Sequence, residues 1–155
     1  MPCPITLAKF TGVFSLGLLT GVSYTLSTQS LPSLLTLPSA TPAASTLSQL
    51  TRLATLHIRT LSSISASSLL LAYTLSPSRI RHPYLLWTGL VAATSGALTF
   101  ALGDTGTMEG EGVNGEQVEK KARDAQWMEF VRTGISGVGF AMGVVGIWGD
   151  GAGRK

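Results

Sequence analysis

The chain has 155 residues, a length that normally forms one domain. Charged residues make up only 12%, about half of the share in an average soluble domain, and none occurs between Phe10 and Thr51. So long an uncharged stretch argues against a soluble globular protein and indicates a lipid environment. The net charge of +3 comes from scattered Lys and Arg residues, so nucleic acid is not an expected partner.

The first predicted membrane span covers residues 7–26. Its length is close to the roughly 20 residues that a helix needs to cross the hydrocarbon core of a bilayer. Gly17 and Gly21 form a GxxxG pair, which lets the backbones of two helices approach closely in lipid. We therefore predict that both glycines are helix-packing residues.

The second predicted span, residues 53–75, is the most polar of the set. The connection before it, residues 27–51, contains Pro32, Pro38 and Pro42, which predict a break in helical structure. Two interpretations of Arg59 remain open. It is either a charge buried inside the membrane or, as we favour, a side chain that reaches the head groups from the interface.

The third predicted span, residues 83–103, follows a short basic turn and begins with a proline, which suits a first helical turn. Ala92 and Gly96 repeat the small-xxx-small spacing of the first span. This spacing predicts that they too face a neighbouring helix.

A hydrophilic loop is predicted over residues 104–128, although its second half has helical spacing. The fourth span follows at residues 130–149. Gly139 and Gly143 form its GxxxG pair and are predicted helix-packing residues. The expected fold is all-α, a four-helix transmembrane bundle that forms a single membrane domain over residues 1–155.

No pattern typical of a catalytic or cofactor site is present. His57 and His82 have no cysteine or carboxylate at metal-ligand spacing, and the glycines lie inside apolar segments, not between a strand and a helix. We therefore predict no catalytic, metal-binding or cofactor-binding residues, no cofactor, and no enzymatic activity.

A resemblance to a known family begins at residues 81–86, with the sequence Arg-His-Pro-Tyr-Leu-Leu. Together with the first span and the glycine-rich residues 137–151, this block resembles the fungal autophagy-related protein 33 family, mitophagy factors of the mitochondrial outer membrane. The block is taken as the family signature: Arg81, His82, Pro83, Tyr84, Leu85 and Leu86.

The resemblance implies a non-enzymatic, multi-pass protein of the mitochondrial outer membrane that promotes selective autophagy of mitochondria. Its implied partners are the lipid bilayer and either the autophagy machinery or other membrane helices, which include those of a second copy in a homo-oligomer.

Two other functions remain open. The glycine faces fit an accessory or assembly subunit of a larger mitochondrial membrane complex equally well, because a packing face does not identify the helix that it meets. A small four-helix membrane enzyme would need inward-facing polar residues, for which only His57, Arg59 and His82 are candidates. We favour the mitophagy factor.

Overall fold

A computed structural model describes residues 4–77, 82–102 and 114–152 of the chain. The described residues are almost entirely helical, which confirms the predicted all-α class. The elements are α1 (Pro4–Thr25), a π-helical turn (Leu26–Ser30), α2 (Leu31–Leu34), α3 (Ala40–Leu75), α4 (Pro83–Leu102) and α5 (Gly115–Ala152).

The four long helices alternate in direction. Helix α1 packs against α3 and α5, and α4 packs against the same two helices from the other side. The start of α1, the end of α3, the start of α4 and the end of α5 therefore meet at one end of the bundle, called here the terminal end. The start of α3, the end of α4 and the start of α5 lie toward the opposite end.

The helices differ in length. Helices α1 and α4 have 22 and 20 residues, whereas α3 and α5 have 36 and 38. At a rise of about 1.5 Å per residue, the two long helices exceed the short ones by roughly 20 Å or more. Their excess forms a helical extension together with α2, defined as residues 31–34, 40–50 and 115–125. Its core consists of Leu31, Leu34, Ala43, Ala44, Leu47, Val118 and Ala122.

The predicted break over residues 27–51 is wrong for most of that stretch. The helix continues through the π-helical turn into α2, and α3 begins at Ala40. Pro42 falls in the first turn of α3, where a missing N–H group leaves no internal hydrogen bond unmade, and Pro32 is the second residue of α2, directly after the π-helical turn. Only the short segment around Pro38 breaks the helical path.

The predicted loop over residues 104–128 also differs from the structure. Helix α5 begins at Gly115 and runs without interruption to Ala152, so residues 115–128 are helical. Glu119 and Arg123 form an i,i+4 ion pair at 2.8 Å on this part of the helix. The first part of the predicted loop lies outside the described residues.

Two helical stretches among the described residues are long and apolar enough to cross a membrane. They are Pro4–Leu34 and Gly115–Asp150, each with a mean hydropathy of 1.5 over its most apolar window. Helices α1 and α4 coincide with the predicted segments 7–26 and 83–103 to within three residues.

Candidate functional site: two polar clusters at the ends of an apolar bundle

Four polar side chains meet at the terminal end of the bundle and form the terminal cluster: Lys9, His82, Tyr84 and Asp150. Asp150 is the centre of the cluster. Its Oδ2 accepts hydrogen bonds from Lys9 Nζ and from the Tyr84 hydroxyl, both at 2.7 Å, and its Oδ1 lies 3.1 Å from His82 Nε2. The cluster thus ties together α1, the start of α4 and the end of α5.

The electrostatics of the terminal cluster favour an ionised Asp150. Partial burial alone would raise the pKa of this carboxyl group, but the hydrogen bonds from Lys9 and Tyr84 and the nearby positive charge of Lys9 hold the pKa below its usual value. Lys9 Nζ also lies 5.9 Å from the centre of the Tyr84 ring. Asp150 therefore acts as an anion that fixes three chain segments.

The terminal cluster gives the signature block a structural role. Pro83 is the first residue of α4, His82 and Tyr84 contact Asp150, and Leu85 is fully buried beside Val13 and Leu69. Leu86 is half-buried, and Arg81 lies outside the described residues. The block therefore starts a helix, anchors it to the last helix and inserts one leucine into the core.

A second polar group, called here the interior arginine site, contains Thr99, Glu129 and Arg132. Arg132 is only 4% exposed, pairs through Nη1 with Glu129, and donates through Nη2 to Thr99 Oγ1 at 3.1 Å. Arg132 and Asp150 are separated by about 27 Å along α5, at a rise of about 1.5 Å per residue. No charged residue lies between them in the sequence.

Between the two clusters, hydroxyl groups point inward and large apolar side chains point outward. Buried hydroxyls include Ser65, whose Oγ donates to the Gly12 carbonyl at 2.8 Å, and Ser136, which accepts from Thr20 at 3.1 Å. The outward side chains form the apolar belt: Phe10, Phe14, Leu18, Ile64, Leu70, Leu71, Leu75, Trp87, Leu90, Ile135, Val138, Phe140, Met142, Val144, Val145 and Trp148. Trp148 is 78% exposed and Val145 is 65% exposed, which is the reverse of the usual arrangement in water.

Most predicted helix-packing residues lie at close helix contacts. A Cβ atom on Gly143 would lie 2.6 Å from Val13, and one on Gly139 would lie 2.6 Å from Val91. A Cβ atom on Gly17 would lie 2.7 Å from the Phe140 ring. Ala92 is fully buried, and a Cβ atom on Gly96 would lie 2.6 Å from Ser62 Oγ.

Gly21 lies at no helix contact among the described residues, so its packing role stays a prediction. It is exposed, and a Cβ atom built there has no neighbour within 4 Å among the described residues. Two other glycines, which the spacing rule did not select, do lie at close contacts: Gly12 against Leu69 and Gly146 against the Tyr84 ring. The GxxxG spacing thus identifies helices that pack closely but does not fix which face is used.

The sequence analysis also missed Lys9, Asp150, Glu129 and Arg132 as members of polar clusters. A signal was available, because these charges bracket the uncharged segments of α1 and α5. Glu129 and Arg132 pair within α5, whereas Lys9, Asp150 and Arg132 also have partners on other helices, which only the fold brings to them. Of the proposed candidates for an enzyme, His82 joins the terminal cluster, while His57 Nδ1 lies 2.7 Å from the Leu53 carbonyl oxygen of its own helix.

The chemistry of these clusters is that of ion pairs and hydrogen bonds. Among the described residues, no group of three or more His, Cys, Asp or Glu side chains is placed to hold a metal ion. Arg59 is half-buried in α3, one residue after the fully buried Ile58.

Comparison with known proteins gives a consistent family. The sequence model described as autophagy-related protein 33 matches residues 1–129. The chain is also 36% identical, over 183 aligned positions, to a curated protein named autophagy-related protein 33 from Gibberella zeae, with 96% of this chain and 92% of that protein covered. No solved structure matches. The chain belongs to the autophagy-related protein 33 family, and its function is therefore related to autophagy.

Proposed function

We propose that the four long helices form a transmembrane bundle, with the apolar belt in contact with lipid. The burial pattern supports this placement, because only 28% and 22% of the most apolar windows of the two candidate spans are buried, whereas the core helix of a soluble protein is mostly buried. Inward-facing serines suit such a bundle, since hydroxyl groups and small residues hold helices together in lipid.

The distance between the two polar clusters supports a bilayer position between them. The roughly 27 Å between Arg132 and Asp150 is close to the roughly 30 Å thickness of a hydrocarbon core. The terminal cluster then lies at one membrane surface and the interior arginine site near the other. The helical extension projects into the aqueous phase on the second side, where its charged residues are solvated.

Within this framework, the chain acts as a non-enzymatic membrane protein of the mitochondrial outer membrane that promotes selective autophagy of mitochondria. The observation that carries this proposal is the family membership, together with the assembly of the signature residues His82 and Tyr84 around Asp150. The helical extension is the part of the described chain that would be available to soluble partners.

Deletion of the gene tests the proposal in starved cells that carry two reporters. One reporter is a mitochondrial matrix protein whose delivery to the vacuole releases a stable fragment, and the other follows bulk cytosolic autophagy. We expect the mitochondrial signal to fall and the bulk signal to persist, with recovery after re-expression of the wild-type chain. An unchanged mitochondrial signal would overturn the proposal, and an equal loss of both signals would assign the chain to general autophagy.

A second candidate function is an accessory or assembly subunit of a larger membrane complex. Gly21 and Gly134 favour it, because both are exposed and have open space beside them among the described residues. A foreign helix could approach closely at these positions. Migration on a native gel separates the two candidates. An accessory subunit would comigrate with a large complex, whereas a mitophagy factor needs no such complex.

A further inference from the structure

A cavity of about 280 Å³ lies where the helical extension joins the bundle. Its apolar wall includes Leu26, Leu31, Leu50 and Ile58, and its volume is near the lower end of the roughly 300–1,000 Å³ that is typical of ligand pockets. The charged side chains in the lining all come from one helix, α5: Lys121, Asp124, Glu129 and Arg132. The cavity is therefore amphipathic, with equal numbers of cationic and anionic groups.

Two buried atoms of the interior arginine site lack hydrogen-bond partners among the described residues. One is Arg132 Nε, a donor on a side chain that is 5% exposed, and the other is Glu129 Oε2, an acceptor on a side chain that is 13% exposed. Both residues line the cavity. A buried charged group with an unmade hydrogen bond is costly, so a ligand that supplies both an acceptor and a donor would relieve the cost at both atoms.

We propose that this cavity binds the headgroup of a phospholipid with a primary ammonium group, of the phosphatidylethanolamine type. A phosphate oxygen would accept from Arg132 Nε, and the ammonium would donate to Glu129 Oε2. A choline headgroup has no N–H group to donate to Glu129. A serine headgroup adds a carboxylate that would meet the carboxylates of Glu129 and Asp124.

The position of the cavity favours a lipid over a soluble phosphate compound. Arg132 and Glu129 lie directly before residues 133–149, the uncharged stretch of α5. In the membrane placement proposed above, this position is the boundary of the hydrocarbon core. The apolar wall would contact the first acyl carbons. This inference rests on that membrane placement and is independent of the role in mitophagy.

Native mass spectrometry of the full chain in detergent tests the proposal. The probes are dioleoyl phosphatidylethanolamine, dioleoyl phosphatidylcholine, dioleoyl phosphatidylserine and soluble O-phosphoethanolamine, each at the same concentration. We expect the ethanolamine lipid to be retained about tenfold better than each of the other three probes. The choline lipid lacks the hydrogen bond to Glu129, the serine lipid adds a carboxylate, and O-phosphoethanolamine lacks the acyl contacts. Equal retention of the choline lipid, or of O-phosphoethanolamine, would overturn the assignment.

Variants locate the site. Glu129→Gln and Arg132→Gln should each lower retention of the ethanolamine lipid about tenfold. The matched controls Glu119→Gln and Arg123→Gln, which remove an exposed ion pair from the same helix, should leave it unchanged. Retention that survives both Glu129→Gln and Arg132→Gln would contradict the proposal.

A third variant tests the site without a change of charge, in case the charge variants do not fold. Ala125→Leu places apolar volume in the cavity without altering a charge, and Ala141→Leu is its control on the exposed face of α5. We expect only Ala125→Leu to lose the lipid, and equal retention by the two variants would overturn the site. If the chain needs detergent but retains no ethanolamine lipid, this inference alone is wrong. If the chain is soluble without detergent, the membrane placement is wrong as well.

Discussion

The hydroxyl of Tyr84 donates to Asp150 Oδ2 at 2.7 Å and so joins the first turn of α4 to the last turns of α5. Lys9 donates to the same oxygen from α1, 141 residues away in the sequence. One carboxylate therefore connects three helices at the end of the bundle where both ends of the described chain meet. This arrangement explains why a tyrosine follows the proline at the start of α4.

Replacement of Asp150 by asparagine should destabilise the bundle. The variant loses the ion pair with Lys9 and the charge beside His82, and we expect the free energy of unfolding to fall by about 1–2 kcal/mol. The measurement is thermal unfolding in detergent micelles. Glu116→Gln, which neutralises an exposed carboxylate in the first turn of α5, is the control and should lower the unfolding temperature less, because this carboxylate has only the weaker interaction with the helix dipole to lose.

The same contact predicts a dependence on pH. Because the folded protein holds the pKa of Asp150 below its usual value, the stabilisation is present at neutral pH, above the ordinary carboxyl pKa of about 4. It is lost as the pH falls through the lower pKa of the folded state. The difference in unfolding temperature between wild type and Asp150→Asn should therefore shrink on acidification, and a difference that grows would contradict the assigned ion pair.

The glycine contacts predict opposite outcomes for two identical substitutions. Gly143→Leu forces a side chain against Val13 and should cost about 1–3 kcal/mol. Gly21→Leu points into open space and should leave stability unchanged or slightly higher, because leucine favours helix over glycine by up to about 1 kcal/mol. Thermal unfolding in the same detergent distinguishes them, and equal destabilisation would show that the face of α1 has been misplaced.

The inward hydroxyl of Ser65 contributes to the contact between α3 and α1. Ser65→Ala removes its hydrogen bond to the Gly12 carbonyl, and we expect a loss of about 0.5–1 kcal/mol, as for other hydrogen bonds between helices in membranes. Ser67→Ala is the matched control, since Ser67 is exposed and, among the described residues, donates to the Ile64 carbonyl of its own helix. A larger effect at Ser67 than at Ser65 would contradict the helix orientation.

The positions of α1 and α4 were predictable from the sequence, but the starts of α3 and α5 and the rotations of the helices were not. Uncharged stretches located α1 and α4 well, because apolar length determines a span. The GxxxG spacing could not decide between faces, since four residues turn a helix by about 400°, which leaves the second glycine about 40° from the first. Gly139 and Gly143 both lie at close contacts despite this offset, whereas Gly17 contacts Phe140 and Gly21 has no neighbour within 4 Å among the described residues.

The polar clusters were missed for a different reason. Asp150 reads as part of a polar tail and Arg132 as a charge near the end of a span, and the Glu129–Arg132 pair within α5 does not by itself define a site. Their partners Lys9, Tyr84 and Thr99 come from other helices. The early start of α5 was likewise obscured by charge, although the Glu119–Arg123 pair is a recognisable helical signal.

Cysteine labelling in membranes tests the central claim, that the apolar belt faces lipid. Val138 is 62% exposed and Lys120 is also exposed on the same helix, so Val138→Cys and Lys120→Cys are both accessible in the isolated fold. In opened membrane vesicles, with Cys3 replaced by serine, a charged maleimide should label only Lys120→Cys, and detergent should expose both. Equal labelling of the two positions before detergent is added would contradict the account.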